Sequence, residues 1–194
     1  MSSTPATGIP VNDGPDSISG LYNRYANALY NYGAGLGFPK DTCVDAIHDV
    51  FCKLTRDERR IRQLVAEGHE KFYLFCCLKN RLIDISRRQE RTSPLETYAT
   101  GFAIEVSVEE SFSDEEERNQ LKAKVEELMA GLSSGQKEAV YLRYMQEMSY
   151  EEIAQLQNIT PESARKNVFR AVHKMRLTAK KNPGFIVILL LFQI

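Results

Sequence analysis

Between Ser133 and Glu162 the chain carries three helix starts in quick succession, and this punctuation limits what it can fold into more than any other feature. Ser133-x-x-Gln136 and Ser149-x-x-Glu152 both have the form of a capping box, in which a serine hydroxyl and a side chain three residues on satisfy each other's free backbone N–H groups. Thr160-Pro161-Glu162 reads as N-cap, N1 and N2 of a third helix, ending near Thr178. The second start opens a short helix with Ile153, Ala154 and Leu156 as its apolar set. Gln157-Asn158-Ile159 is then a tight turn, and Asn tolerates the left-handed backbone such turns use. A short helix, a turn of three or four residues and a longer basic helix make a helix-turn-helix.

The rest of the chain is also helical in period. Asp16 to Ala34 places Ile18, Leu21, Tyr25, Ala28, Leu29 and Tyr32 near one face, and Gly33, Gly35, Gly37 and Pro39 are expected to break it. Asp41 to Arg56 has an apolar stripe of Cys43, Val44, Ile47, Val50, Phe51 and Leu54. Residues 57–69 read as a loop or short helix, and Glu70 to Arg88 as a long helix with Phe72, Phe75, Cys76, Leu78, Leu82 and Ile85 inward. Asp114 to Ala130 repeats Leu121, Val125, Leu128 and Met129 at helical spacing. No two-residue alternation and no internal repeat occur, so the expected fold is all-α.

Net charge is −1 over 194 residues, which conceals two basic segments and an acidic one. Glu96 to Gln120 holds eight acids against Arg118 alone; Arg165 to Lys181 holds seven bases and no acid; Lys79 to Arg91 holds five bases against Asp84 and Glu90. Two basic segments separated by an acidic one suggest two modules that each touch a polyanion, although any single run also suits a solvated helix face. The chain divides into a leader (1–15), a first module (16–92), a flexible acidic linker (93–118), a second module (119–181) and an apolar tail (182–194).

Function classes fall away on simple grounds. The polar N-terminus lacks an apolar signal core. The eight apolar residues from Phe185 to Phe192 are far short of the roughly 20 that span a bilayer. Four cysteines with no C-x-x-C pattern make neither a disulfide framework nor a usual zinc site and suit a reducing cytoplasm. His48 and Cys52 are spaced like a metal-ligand pair with no second pair to complete a site, so no metal and no cofactor are expected. The glycine-rich turn follows a helix rather than a strand, and no nucleotide loop or hydrolase motif is present.

The helix-turn-helix points to DNA. Ala154 is small enough to let the helices approach, and Ile159, Ala164 and Val168 face inward. Ser163, Arg165, Lys166, Asn167 and Arg170 lie on or near the outer side, where Arg suits guanine and Asn suits adenine in the major groove. A helical hairpin with a solvated basic face is the plain alternative.

The stretch from Gly131 to Arg176 resembles region 4 of the sigma-70-type RNA polymerase sigma factors. Asp45-AIHDVFCKL and Phe72-YLFCCLKNRLIDISRR resemble segments of that family's region 2. Region 2, a variable linker and region 4 in that order are the pattern of the extracytoplasmic-function group. The resemblance implies two small helical domains, a region 2 bundle and a region 4 helix-turn-helix. It also implies a specificity subunit with no catalytic residue of its own, active in the cytoplasm.

Residue by residue, Asp45, His48 and Asp49 match the helix that docks on core RNA polymerase, whose β′ and β subunits are the implied partners; Phe51 on that helix suits the core. Lys79, Asn80, Arg81, Arg87 and Arg88 match the minus-10 reader, with the loop at 57–70 in the place of the family's base-capturing loop. Asp84 suits a salt bridge or cap. Ser163, Arg165, Lys166, Asn167, Phe169 and Arg170 fall on the minus-35 reader. Promoter DNA is the implied ligand, and group members are commonly held inactive by an anti-sigma factor, often membrane-anchored.

Ala164 and Asn158 replace the family's more usual Val and Gly. The tail suits packing on the domain, a partner contact or an autoinhibitory plug. A dimeric helix-turn-helix repressor or activator and a helical adaptor are the competing readings.

Overall fold

A computed structural model describes residues 17–92, 101–103 and 115–181. Eight α-helices make up almost all of these, with no strand among the described residues. They are α1 (Ile18–Gly35), α2 (Lys40–Leu54), α3 (Glu58–Glu67), α4 (Glu70–Thr92), α5 (Glu115–Ala130), α6 (Ser134–Val140), α7 (Tyr150–Gln157) and α8 (Pro161–Lys181). A π-helical turn, Tyr141–Met145, continues α6 where the sequence suggests one unbroken helix.

Short polar side chains open several of these helices. Ser17 caps α1, accepting from the Gly20 N–H at 3.0 Å. Both capping boxes form, Ser133 with Gln136 and Ser149 with Glu152. Residues 57–69 hold a true helix, opened by Asp57, which accepts from the Arg60 N–H, and closed by Gly68 in the left-handed region at φ 71°.

Other expectations need correction. Gly33 does not break α1 but lies buried inside it, Gly35 is its buried last residue, and Gly37, at φ 88°, turns the chain. A Cβ on Gly33 would sit 2.8 Å from Cys43 Sγ, so this glycine lets α1 and α2 touch. Val44 is 47% exposed, and Ala46 takes its place in the α2 stripe. Leu74 joins Phe75, Leu78 and Leu82 inside because α4 is packed by α1, α2, α3 and α7 together and buries more than one face.

The largest departure is between the modules. One apolar cluster runs from Leu21, Leu29 and Phe75 of the first module through Phe102 to Leu142, Ile153 and Val168 of the second. A smaller cluster between α5 and α8 holds Val125, Leu128, Met129, Ala171 and Met175. The acidic stretch between the modules was expected to be plain linker, yet Phe102 within it is core. The leader, the remainder of that stretch up to Asp114 and the apolar tail lie outside the described residues.

Candidate nucleic-acid interface

The helix-turn-helix is built by small residues at its crossing. Ala154, Ala164 and Val168 are buried between α7 and α8, allowing close packing. Asn158 ends α7 in the left-handed region (φ 54°, ψ 48°), and the Ile159 N–H returns to the Ala154 carbonyl at 2.9 Å. The side chain of Ile159 is exposed rather than inward, because the turn carries it past the crossing. Thr160 Oγ1 accepts from the Ser163 N–H at 3.2 Å, the expected N-cap.

These constraints leave one face of α8 open to solvent. Arg165, Lys166, Phe169 and Arg170 are exposed there, with Ser163 and Asn167 half-buried beside them. Phe169 is 71% exposed and stacks on the His173 ring, centroids 6.4 Å apart. Arg165 lies over the Tyr150 ring at 5.1 Å, and Lys166 pairs with Glu162 at 2.7 Å. The face combines fixed cations with an aromatic plane, a set that can meet phosphates and base edges.

In the first module the basic residues of α4 divide between two sides. Asn80, Arg81 and Asp84 line a cleft of about 330 Å³ with Lys53, Asp57, Arg60, Tyr73 and Cys77. Arg60 lies over the Tyr73 ring at 5.0 Å. Burial and then the Cys77 contact push the Tyr73 phenol up, keeping it a neutral donor. Arg81 Nε donates to Asp49 Oδ2 at 2.8 Å, joining two residues that the sequence assigned to different partners. Arg87 and Arg88 lie exposed about two turns further along α4.

Lys79 is not in this group. Its Nζ pairs with Glu138 Oε1 of α6 at 2.9 Å, and the same oxygen accepts from the Tyr32 hydroxyl at 2.6 Å. Gln157 Nε2 donates to the other carboxylate oxygen at 3.2 Å. Burial, and then the charge of Glu138, holds the Tyr32 phenol well above its ordinary range. Glu138 was missed in the sequence reading, since one acid among exposed-looking neighbours gives no sign of burial.

Asp45 and His48 are exposed on α2 and Asp49 is half-buried, while Phe51 is core and meets Tyr22 edge-on at 5.1 Å. The His48 ring lies 3.7 Å from Cys52 Sγ. No cluster of three metal-ligating side chains and no helix long and apolar enough to cross a membrane occurs among the described residues.

Residues 122–175 match the family model described as Sigma-70, region 4. The chain is 24% identical over 170 residues to the ECF RNA polymerase sigma factor SigM of Bacillus subtilis (strain 168), covering 87% of this chain and 97% of that protein. It is similar in fold to a solved structure of CnrH in complex with the cytosolic domain of CnrY, with a TM-score of 0.50 and 17% identity, covering 88% of this chain and 92% of the other.

Proposed function

From the premise that this chain is a sigma-70 family RNA polymerase sigma factor of the extracytoplasmic-function type, with promoter recognition as its general role, we propose the following division of work. Residues 119–181 read the minus-35 element through α8. Arg165 and Asn167 meet base edges, while Ser163, Lys166 and Arg170 hold phosphates and Phe169 packs against the groove wall. The observation that carries this is the open face of the first turns of α8, where these residues, with Pro161 and Glu162, are the exposed or half-exposed set over 161–170.

The first module, residues 16–92, reads the minus-10 element. Asn80 offers both a donor and an acceptor at the mouth of a cleft beside an aromatic ring, a suitable seat for one unstacked base. Arg81, Arg87, Arg88 and Lys79 supply phosphate contacts to the opened strand. Asp45, His48 and Asp49 meet the β′ subunit of core polymerase, and the second module reaches β. Polymerisation chemistry belongs to the core enzyme, so this subunit works in the cytoplasm as a specificity factor without metal or cofactor. CnrH was solved with the cytosolic domain of a second protein; for this chain a protein partner that acts as an anti-sigma factor, anchored to a membrane, is proposed.

The test is run-off transcription with bacterial core polymerase and a promoter library. Specific transcripts that need this protein are expected. Their absence, with no co-elution with core polymerase and intact duplex binding, would move the chain to the dimeric repressors or activators.

A further inference from the structure

The segment that follows α8 has no polar side to turn towards water. From Phe185 to Phe192 every residue is apolar, in the order Phe-Ile-Val-Ile-Leu-Leu-Leu-Phe. A segment that is apolar all round needs cover on every side, and a single neighbouring groove covers only part of it. The described surface of the second module offers little such cover. Its exposed large apolar side chains are Met145, Ile159, Phe169 and Leu177. On α8, Phe169 and Leu177 stand roughly 12 Å apart along the helix, with His173 exposed between them. That stripe suits one side of a segment and leaves the other sides in water.

The end of α8 supplies a second feature. Met175 and Ala179 are buried in the cluster with Val125 and Leu128 of α5, which turns Arg176, Leu177 and Lys180 out to solvent. Leu177 is 48% exposed, an apolar side chain set between two cations where the apolar run begins its approach. No acid follows Glu162 in α8, and seven bases lie between Arg165 and Lys181. Pro183 and Gly184 are poor at continuing a helix, so the sequence allows a change of direction between the bases and the run.

We propose that residues 176–194 form an interfacial anchor for an anionic lipid surface. Phe185 to Phe192 enters the boundary between headgroups and acyl chains, and Arg176, Lys180 and Lys181 meet the lipid phosphates. The run is too short to span a bilayer. An apolar insert beside a cluster of bases is nevertheless the two-signal combination that holds a protein to a membrane face. Charge favours lipid over a second copy of this chain, whose own basic α8 would repel the first. The apolar run favours lipid over free phosphate, which offers it no cover. Anchoring of this kind needs neither promoter nor polymerase and is independent of the sigma-factor reading.

The test floats the full-length protein on a density gradient with vesicles of phosphatidylglycerol and phosphatidylethanolamine, or of phosphatidylcholine alone. Binding to the anionic vesicles should be at least ~tenfold tighter. Leu189→Glu with Leu191→Glu should lower it more than ~tenfold. Arg176→Gln, Lys180→Gln and Lys181→Gln should lower it ~fivefold for each charge removed. Should circular dichroism show that the charge variants lose helix, raised salt acting on the wild type replaces them, and it should weaken binding to the anionic vesicles. Equal binding to both kinds of vesicle overturns the anchor, and so does absence of binding. Absence of binding with oligomers that the two glutamates dissolve assigns the run to a second copy instead. Absence of binding in a monomer whose run resists protease assigns it to packing on its own domain.

Discussion

The guanidinium of Arg165 lies over the ring of Tyr150, 5.1 Å from its centroid, and Arg143 lies over the same ring at 5.0 Å. Arg143 is itself held by the Met148 carbonyl at 2.8 Å. The first helix of the helix-turn-helix thus supplies an aromatic plate that steadies an arginine of the second.

Arg165→Ala should weaken promoter binding by about 1–3 kcal/mol and relax selectivity at one base pair. Tyr150→Leu should reproduce part of that, about 0.5–1 kcal/mol, and Tyr150→Phe should restore it, because the ring face and not the hydroxyl does the steadying. Competition binding against every base at each minus-35 position reads both. Uniform weakening on all sequences would reassign Arg165 to a phosphate.

The pair between Asp49 and Arg81 links the proposed polymerase face to the proposed minus-10 cleft. It is partly exposed, 41% for Asp49 and 23% for Arg81, so Asp49→Ala should lower folding stability by no more than about 1 kcal/mol. Its effect on core polymerase affinity should be larger, about tenfold or ~1.4 kcal/mol. Urea melts beside polymerase titrations separate the two. A loss of stability that matches the loss of affinity would make Asp49 a structural residue only.

Burial pushes the Cys43 and Cys76 thiols from 9.0 up to about 11. In the unfolded chain these thiols ionise near 9 and in the folded chain near 11. Between those values the unfolded state holds fewer protons, so stability falls as pH rises, and below about pH 9 this contribution is intact. Thermal melts should therefore be level from neutral pH to about 9 as far as these thiols are concerned and drop towards 11. Thiol titration of the native protein at pH 8 should label exposed Cys52 first and buried Cys43 last. Rapid labelling of Cys43 would contradict its packing against α1.

Gly33→Ala should destabilise by about 1–3 kcal/mol through overpacking, since its Cβ would meet Cys43 Sγ at 2.8 Å and Leu82 Cδ1 at 3.4 Å. Adding Cys43→Ala should recover most of that loss, because it removes the sulfur in the way. Additive losses in the double variant, read by denaturant melts, would show that the cost lies in the backbone.

Helix starts were legible because a cap is a local event: Ser133, Ser149 and Thr160 each act on an N–H within three residues. The outer face of α8 followed, since Ala164 and Val168 fix what lies opposite them. The last turn of α1 is less legible because Gly33 and Gly35 have the same letters as a turn, and only the approach of Cys43 and Phe102 gives them their packing role. Phe102 and Glu138 were invisible for a related reason. Each is one residue without period whose partner lies far along the chain, 106 positions away for Tyr32 and Glu138.

Lys79 has one positive charge and two destinations, and dissolved salt treats them differently. Its pairing with Glu138 is largely shielded from solvent, at 20% and 10% exposure, so mobile ions screen it little. A phosphate contact by the same amine sits in the counterion atmosphere of DNA and weakens steeply as salt rises. Ionic strength therefore biases this side chain in one direction, towards the carboxylate in concentrated medium and towards nucleic acid in dilute medium.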